Sequence, residues 1–540
     1  MTDDLTEAFD YLVVGAGSAG CVLANRLSAD GRFRIGLIEA GGSDRTPRIR
    51  IPAGTLTLYR SQRLAYQFQS TPQRHLMERR IHVPRGKALG GSSTLNSMIY
   101  IRGDRTDYDH WAALGCSGWE WPHVLDAFKT LERSHRSTDM PGSAFHGYDG
   151  ALDVTMPRDV NPLSLDFVAA GMEAGLPYNP DFAGAQLEGV GIYDVTQRNG
   201  LRLSAYRAFI HPVRHRPGLC VLSGARTRHL LIENRQIRGI SIEHEGRIKT
   251  LHVRREVILC AGAIGSPQIL MASGIGPGTD LIAAGISPIH TLPAVGQNLQ
   301  DHLDGLVTLR SPDTRSLGFS RHSLPRLLGA PWRFALKRKG WLTTNYVEAG
   351  GFARTSLAEG TVPDVQFHFV PGYRSPRGRL FEWGHGLAIH TCVLRPKSRG
   401  SIRLSTDGEM RPLIDFNFAS QPNDLATLCE GIKIARHILS QPRFMGARGN
   451  EIAPGASVTS DAEIMNYLRN SAATVFHPAG TCRMGSDDRS VVTPRLKLRG
   501  IEGLRVADAS IMPTLISGNT SAPSMMIGEM AARMILQEVD

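Results

Sequence analysis

The stretch FDYLVVGAGSAG at residues 9–20 decides the fold of this chain. Residues 11–14 form a short apolar, partly β-branched run closed by glycine, which is typical of a buried parallel strand. Gly15 permits a sharp turn, Gly17 lets the backbone approach a pyrophosphate, and Gly20 lets the next helix pack close to the strand. The stretch therefore predicts the strand, turn and helix that open a dinucleotide-binding domain.

A second predicted strand, RIGLIE at residues 34–39, follows the helix and ends in an acidic residue. Glu39 lies nineteen residues after Gly20, where a carboxylate accepts hydrogen bonds from an adenosine ribose. The carboxylate would repel a 2′-phosphate, so the pattern favours FAD or NAD over NADP. We expect the phosphates to face the free N–H groups of the helix that starts at Ser18. A glycine-rich loop without a ligand is the alternative, and the strand, helix and acid together argue against it.

Length and composition are those of an ordinary globular protein. The 540 residues are 41% hydrophobic and 21% charged, which suggests two to four domains. No stretch approaches eighteen consecutive apolar residues, so we predict no transmembrane helix. The lead at residues 1–7 is acidic and the first strand begins almost at once, which predicts no signal peptide and a cytoplasmic location.

The net charge of +11 raises the question of a nucleic-acid or membrane partner. The basic residues are dispersed, with modest clusters at residues 333–339 and 374–379, so we expect a solvated basic surface and no nucleic-acid partner. Peripheral contact with an anionic membrane, such as the inner membrane, stays open as the alternative.

The seven cysteines are scattered without a CxxC pair, which predicts reduced core residues, no disulfides and no metal site.

Three further stretches carry recognisable patterns. RGKALGGSSTLNSMIYIRG at residues 85–103 offers consecutive glycines and hydroxyls that can lie against a phosphate or a flat ring, although a plain turn before a helix is the simpler interpretation. GAIGSPQILMASGIG spans residues 262–276, and FHPAGTCRMG at 476–485 is followed by VADAS at 506–510. Together these stretches resemble the two signatures and the active-site segment of the glucose–methanol–choline (GMC) oxidoreductases, which bind FAD.

The resemblance implies the GMC fold, an α/β fold in which a Rossmann-like FAD-binding domain is assembled from discontinuous segments and accompanied by an α+β substrate domain with an antiparallel sheet. We expect residues 1–154, 201–302 and 472–540 in the first domain, and 155–200 and 303–471 in the second. Residues 253–260 predict a strand, and Ser266-Pro267 predicts a helix start. Residues 365–369 and 401–404 alternate as half-buried strands do, and 425–439 has helical periodicity.

The resemblance also implies which residues bind FAD. They are Gly15, Gly17, Ser18, Ala19, Gly20, Glu39, Ala40, Gly86, Gly90, Gly91, Ser92, Asn96, Met98, Thr227, Ala261, Asp508, Ala509, Asn519 and Thr520. Some members of the family tether FAD through a histidine directly before the asparagine of the first signature. That position is Leu95 here, so we expect FAD to be bound noncovalently. A helix over residues 523–536 would point its positive end at the flavin.

His477 and Asn519 are the expected catalytic residues. Imidazole has an unperturbed pKa near 6.5, so His477 can accept the hydroxyl proton of an alcohol near neutral pH. Asn519 matches the family's second catalytic position, where an amide can bind the substrate oxygen but cannot act as a base. Phe476 and Glu348 are candidate substrate contacts; a salt-bridged surface carboxylate is the alternative for Glu348.

The resemblance implies an FAD-dependent dehydrogenase that oxidises a primary aliphatic or aromatic alcohol to the aldehyde, with hydride passing to flavin N5 and electrons to a quinone-type acceptor or an artificial dye. Residues 161–164, 171–174 and 195–200 are similar to those of bacterial choline-dehydrogenase-like enzymes, including alkanol and polyethylene glycol dehydrogenases. An alcohol oxidase that makes H2O2 from O2, and a hydroxynitrile-lyase-like protein with structural FAD, remain alternatives; the signatures oppose an NAD-binding protein. The preferred alcohol, the acceptor and the oligomeric state stay open.

Overall fold

Residues 8–374 and 382–539 are described in the computed structural model of the chain. The acidic lead at residues 1–7 lies outside the described residues, as does all of the predicted basic cluster at 374–379 except Arg374. Within the described residues no helix is both long and apolar enough to cross a bilayer. All seven cysteines are free thiols; six of them are buried, and Cys220 is only partly buried, which departs from its prediction as a core residue. The cytoplasmic location stays a prediction.

A mainly parallel sheet, called here the first sheet, is built around the strand Phe9–Val14. That strand is almost fully buried, as a strand of a sheet covered on both faces is, and it pairs in parallel with Ile35–Glu39 on one side and Arg247–Leu259 on the other. The sheet comprises Phe9–Val14, Ile35–Glu39, Leu219–Ser223, Ala225–Glu233, Gln236–His244, Arg247–Leu259 and Leu504–Val506. The strands come from distant parts of the chain, as the predicted discontinuous assembly requires.

A wholly antiparallel sheet, called here the second sheet, lies beside the first. Its strands are Gly189–Ile192, Leu303–Ser311, Ala349–Ala353, Val365–Val370, His385–Val393, Glu451–Ala453 and Ala473–Thr474. Shorter strand pairs are Ala65–Gln69 with His82–Gly86, Glu132–Ser134 with Leu152–Val154, Gln197–Arg198 with Leu201–Arg202, Ile275–Gly276 with His290–Thr291, and Ser401–Leu404 with Pro412–Asp415. The predicted division of the chain into two domains stays a prediction.

Twelve α-helices are present in the described residues and surround the two sheets. They are Ser18–Leu27, Pro47–Arg50, Thr55–Leu58, Arg105–Ala113, Trp121–Leu131, Pro162–Glu173, Gly262–Ala272, Gly278–Ala283, Leu324–Lys337, Pro422–Ser440, Asp461–Ser471 and Ser521–Val539. The last of these packs along Ser18–Leu27, and a Cβ on Gly528 would lie 2.4 Å from the Ala19 carbonyl oxygen. The helix that opens the glycine motif is therefore held closely by the C-terminal helix.

The strand Val365–Val370 corrects the prediction of half-buried strands, because all six of its residues are buried. Successive side chains of a strand point to opposite faces. The Phe369 ring stacks on Phe167 of the helix Pro162–Glu173, with centroids 4.8 Å apart. Gln366 and His368 face the other way, and His368 lines a cavity of about 710 Å³. One face of this strand therefore meets an internal cavity and the other meets the core, and neither face is exposed to solvent.

The helix Gly262–Ala272 begins four residues before the predicted start, so Pro267 lies in its interior. Proline has no N–H, and the carbonyl of Ala263, four residues earlier, loses its helical donor. The Thr481 hydroxyl donates to that carbonyl at 2.7 Å. Since both residues are buried, a distant side chain replaces the missing hydrogen bond and the proline is tolerated.

We predict that Thr481→Val lowers the free energy of unfolding by about 1–3 kcal/mol, because the Ala263 carbonyl is left buried without a donor. In a Pro267→Ala background the restored N–H of residue 267 can donate to the Ala263 carbonyl. There, Thr481→Val should lower the free energy of unfolding by clearly less. Urea unfolding of the four proteins of this double-mutant cycle measures the difference. Equal costs of Thr481→Val in both backgrounds would contradict the assignment.

Candidate active site

The two glycine-rich stretches of the sequence meet in space. The Gly90 N–H donates to the Ala16 carbonyl at 2.8 Å. A Cβ on Gly91 would lie only 2.7 Å from Gly17 Cα, and both Gly90 and Gly91 have left-handed backbone. Gly86 packs behind them, since its Cβ would lie 2.1 Å from the Gly91 carbonyl oxygen. The two motifs therefore form one continuous backbone surface.

The helix Ser18–Leu27 starts at this surface without any side-chain cap on its first turn. Its first N–H groups thus have no intrahelical partner, an arrangement that suits the pyrophosphate of a dinucleotide. Gly15 has φ 109°, and its Cβ would lie 2.4 Å from the Cys260 carbonyl oxygen, so the turn is packed tightly onto the neighbouring strand. Gly20 is similarly close to the Gly15 carbonyl, at 2.0 Å. Glycine is required at both positions, as the motif predicted.

Glu39 is buried at the end of its strand and braces the turn. Its carboxylate accepts hydrogen bonds from the Ala16 N–H at 3.0 Å and from the Gly41 N–H at 2.7 Å, and so joins the glycine turn to the residues that follow the second strand. Burial raises the pKa of Glu39 to about 7, while the two backbone donors act in the opposite direction. Each carboxylate oxygen keeps a second acceptor position, which is what a ribose hydroxyl needs.

Residues farther along the predicted FAD site fit an adenine and its surroundings. The Thr227 hydroxyl is buried and has no hydrogen-bond partner within residues 8–374 and 382–539. It lies on the strand that begins just after Gly224, whose N–H donates to the Gly41 carbonyl at 2.8 Å. An orphaned buried hydroxyl beside Glu39's strand is the kind of group that a ligand satisfies. The residues present therefore fit FAD.

Asp508 has a structural role that the sequence did not suggest. One carboxylate oxygen accepts from the Gly262 N–H at 2.8 Å and from the Ser266 hydroxyl at 2.6 Å, and the other accepts from the Ser510 N–H. Asp508 thereby joins the start of the helix Gly262–Ala272, next to Ala261, to the C-terminal part of the chain. Ala509 continues the link, because its carbonyl accepts from the Gly480 N–H at 3.1 Å.

One cavity of about 710 Å³ brings the cofactor and catalytic predictions together. The predicted residues that line it are Ser18, Ser92, Asn96, Met98, Phe476, His477, Asn519 and Thr520. Met98 and Phe476 hold left-handed backbone, with φ 59° and 70°. Such strain is kept only where the surroundings fix it. Asn96 Oδ1 accepts from the Met98 N–H, and the Arg85 guanidinium donates to the Phe476 carbonyl at 2.7 Å.

Glu348 does not line this cavity, which corrects its prediction as a substrate contact. Its side chain is buried and accepts hydrogen bonds from the Asn161 N–H at 2.6 Å, the Ser164 hydroxyl at 3.1 Å and the Thr344 hydroxyl at 2.7 Å. The alternative of a surface salt bridge is also wrong, because the residue is only 1% exposed. Glu348 instead ties the start of the helix Pro162–Glu173 to the loop before the strand Ala349–Ala353.

Asp301 fixes the loop that carries His477. One carboxylate oxygen accepts from the His477 N–H at 2.9 Å, and the other accepts from the Thr474 hydroxyl. The next residue back, Gln300, pairs with Ala479 through two backbone hydrogen bonds of 3.0 and 2.9 Å. Burial raises the pKa of Asp301 to about 7, and these donors oppose the rise. The imidazole of His477 is thus carried on a loop held at both sides.

The proton positions on His477 follow from its neighbour His302. His302 Nε2 lies 3.1 Å from the Ile516 carbonyl oxygen, and since a carbonyl only accepts, Nε2 carries the proton. Burial lowers the pKa of His302 to about 4, so the ring is neutral near pH 7 and its Nδ1 is an acceptor. His302 Nδ1 lies 3.0 Å from His477 Nδ1, which must therefore donate. This arrangement leaves His477 Nε2 unprotonated.

A second chain of hydrogen bonds orients the amide of Asn519. The Tyr193 hydroxyl donates to the Phe367 carbonyl at 2.7 Å and accepts from Gln366 Nε2 at 3.4 Å. Gln366 Nε2 also donates to Asn519 Oδ1 at 3.1 Å. With its oxygen so engaged, Asn519 turns Nδ2 toward His477 Nε2, at 3.2 Å. An amide donor and an imidazole acceptor therefore stand side by side at the wall of the cavity.

Electrostatics keeps His477 neutral. Burial lowers its pKa well below the usual value, and His302, His368 and Arg85 add to the effect. Burial likewise lowers the pKa of His368 to about 3. Because protonation of this cluster is disfavoured, the free Nε2 of His477 stays available to accept a proton. Within the described residues, no group of three or more His, Cys, Asp and Glu side chains could hold a metal ion.

Sequence reasoning missed His302, Asp301, Gln366 and Tyr193. Three of them carried a signal. Asp301 and His302 close a run of consecutive polar residues directly before a strand, and Gln366 alternates with apolar residues in the run VQFHFV at residues 365–370. Tyr193 carried no such signal, because its role depends on a carbonyl far away in the chain.

Two family models describing GMC oxidoreductases match the chain, an N-terminal one at residues 9–304 and a C-terminal one at residues 396–528. The alcohol dehydrogenase (acceptor) of Pseudomonas putida is 47% identical over 98% of this chain and 96% of its own length. The oxygen-dependent choline dehydrogenase of Photobacterium profundum is 39% identical over 98% of this chain and 94% of its own length.

A solved structure supports the same relationship. The crystal structure of pyridoxine 4-oxidase from Mesorbium loti superposes with a TM-score of 0.88 and 31% identity, covering 98% of this chain and 99% of its own. The predicted GMC fold is thereby confirmed.

We predict that Gly91→Ala loses most of the FAD that copurifies with the protein, because the added Cβ meets the Gly17 backbone at 2.7 Å. Gly31→Ala is the matched control: Gly31 also has left-handed backbone, with φ 75°, but open space around the added Cβ. The ratio of flavin absorbance to protein absorbance measures the FAD content of both variants. Full FAD occupancy in Gly91→Ala would contradict the close contact of the two glycine stretches.

Proposed function

The chain belongs to the GMC oxidoreductase family, whose members are FAD-dependent, and from this premise we propose that it oxidises a primary aliphatic or aromatic alcohol to the aldehyde. The observation that carries the proposal is the unprotonated His477 Nε2, 3.2 Å from the amide donor Asn519 Nδ2 at the cavity wall. A hydroxyl oxygen in the cavity, placed beside this pair of atoms, can contact both. Bound FAD supplies the acceptor for the hydride that leaves the alcohol carbon.

Asn519 and His477 have different roles at the hydroxyl group of the alcohol. Asn519 Nδ2 donates to the alcohol oxygen and holds the charge that develops there as the proton leaves. His477 Nε2 takes the proton, as general-base catalysis requires. The imidazolium so formed keeps its hydrogen bond from Nδ1 to His302 Nδ1, which stabilises the positive ring. His302 and His477 are buried and Asn519 is partly buried, which limits the access of water to this proton transfer.

The cavity lining favours a neutral, apolar alcohol. Its apolar side chains include Leu317, Phe319, Trp341, Leu342, Val347, Val370 and Phe476. Among the described residues, each carboxylate that lines it has a basic neighbour: Asp304 contacts His390 at 2.7 Å through one oxygen, and Glu382 pairs with Arg310 at 3.4 Å. The guanidinium groups of Arg48, Arg85 and Arg374 line it as well, and they would repel a quaternary ammonium group. These charges support an alkanol or aryl alcohol over choline.

Cofactor attachment and electron acceptor complete the proposal. Leu95 lines the cavity with a side chain that cannot form a flavin bond, which supports noncovalent FAD. The name of the Pseudomonas putida relative, an alcohol dehydrogenase acting with an acceptor, supports a quinone-type acceptor. The names of two other relatives, an oxygen-dependent choline dehydrogenase and pyridoxine 4-oxidase, favour O2 as the second candidate.

The test is anaerobic mixing of the purified holoenzyme with a panel of alcohols: ethanol, octanol, decanol, benzyl alcohol, choline and a short polyethylene glycol. We expect the long alkanols or benzyl alcohol to bleach the visible flavin absorbance with formation of one aldehyde per FAD. H2O2 formed in proportion to aldehyde in air would identify the oxidase. Bound FAD that no alcohol bleaches would overturn the proposal in favour of a non-redox role.

In the same assay we predict that His477→Ala slows flavin reduction about 10²-fold or more, because the proton acceptor is lost. Asn519→Ala should slow it less, since the base remains. Both variants should keep FAD, which the flavin absorbance checks. Near-normal reduction in His477→Ala would remove this residue from its role, and a larger effect in Asn519→Ala would reverse the two assignments.

We also predict the pH dependence of kcat/KM for the alcohol. Burial lowers the pKa of His477, so the ring stays neutral and basic as the pH falls through the usual histidine value of about 6.5. Protonation of His477 therefore removes the base only at a lower pH. A kcat/KM profile from pH 5 to 9 with saturating acceptor measures this. An acid inflection at about pH 6.5 or above would contradict the assignment.

A further inference from the structure

The helix Leu324–Lys337, called here the outer helix, presents two apolar stripes. The inner stripe, with Ala330 and Phe334, is buried against the protein. The outer stripe consists of Leu324, Leu328, Trp332 and Leu336, which are 53%, 68%, 72% and 79% exposed. Residues four apart lie on the same side of a helix. Single exposed apolar residues are common, but four in a row on one helix face mark an interaction surface.

Positive charge borders the outer stripe. Between Asp313 and Glu348 the chain has seven basic residues and no acidic one: Arg315, Arg321, Arg326, Arg333, Lys337, Arg338 and Lys339. Arg315 pairs with Asp313 and Asp166, and Arg333 pairs with Asp159. No ion pair with a carboxylate occurs at Arg321, Lys337 or Lys339 within the part of the chain that the structure describes. The surface therefore combines exposed leucine and tryptophan with unpaired cations.

The outer helix borders the active-site cavity at both ends. Leu317, Gly318 and Phe319, which lead into the helix, line the cavity, as do Trp341 and Leu342, which follow it. The Phe319 and Trp341 rings are in edge contact, with centroids 5.8 Å apart, so the two ends of the segment meet. A partner bound to the outer stripe would therefore lie next to the cavity residues that flank the outer helix.

We propose that the outer stripe inserts into the boundary between headgroups and acyl chains of an anionic bilayer, and docks the protein peripherally with this side of the cavity toward the membrane. Helices that lie in the interface combine leucine and tryptophan on one face with basic residues at its border. Apolar burial and attraction to anionic lipid act together, and each alone gives weak attachment. The proposal goes beyond the reaction, since vesicle binding is read without turnover.

A second copy of the chain fits the surface less well than a bilayer does. A twofold contact through the outer stripe would press the same patch of both copies together. Both ends of this patch are basic, with Arg321 before the helix and Lys337, Arg338 and Lys339 at its end, so the contact would bring cations of the two copies together, and like charges across an interface repel. An anionic lipid surface instead complements both the stripe and its border.

The test is cosedimentation of the holoenzyme with vesicles of phosphatidylcholine containing about one third phosphatidylglycerol. We expect the protein to pellet with them, and to bind at least about tenfold more weakly to phosphatidylcholine alone or in high salt. The double variant Leu328→Ser with Trp332→Ser should weaken binding to the anionic vesicles by at least about tenfold. The matched control, Ile248→Ser with Ile282→Ser, removes two residues that are 63% and 67% exposed elsewhere and should bind as wild type does.

Every other outcome overturns the proposal. Failure of the wild-type protein to pellet, or equal pelleting of the outer-stripe variant, removes the membrane-docking role. Size-exclusion chromatography with light scattering detects the rival: a dimer that the outer-stripe variant abolishes, without vesicle binding, would assign the surface to a second copy. Because both substituted residues are exposed, the variant should keep its FAD, and flavin absorbance verifies that it is folded.

Discussion

Two backbone carbonyls determine which nitrogen atoms of the active site carry protons, and the proposed chemistry depends on these proton positions. The Ile516 carbonyl fixes the tautomer of His302, which in turn leaves His477 Nε2 free. The Phe367 carbonyl, through Tyr193 and Gln366, turns the Asn519 amide so that it donates beside that nitrogen. Because carbonyl groups cannot donate, neither chain of hydrogen bonds can reverse its direction while the rings stay neutral.

The fold serves this arrangement by bringing distant segments to one place. The strand Val365–Val370 sends phenylalanines into the core and Gln366 and His368 toward the cavity. Asp301 anchors the loop that carries His477. The Thr481 hydroxyl, just after it, donates to the carbonyl that lacks a helical donor because of Pro267. Ser18 and Ser92, which adjoin the glycine surface, line the same cavity as His477 and Asn519, so the predicted cofactor-binding and proton-transfer residues share one cavity.

The sequence predicted those parts whose cause is local. Gly15, Gly20 and the buried strand before them follow from sterics and apolar pattern within twelve residues, and Glu39 follows from a fixed spacing. The start of the helix at Gly262 was mispredicted, because the missing bond of Pro267 is supplied by Thr481, more than two hundred residues later. His302 was missed and Glu348 was misassigned for the same reason: their partners at Ile516 and Asn161 are remote in the chain.

Neutron diffraction from deuterated crystals at pH 7 reads the central proton positions directly. We expect deuterium on His302 Nε2, facing the Ile516 carbonyl, and on His477 Nδ1, facing His302, with none on His477 Nε2. Deuterium on His477 Nε2, alone or together with Nδ1, would contradict the assignment of this nitrogen as the proton acceptor.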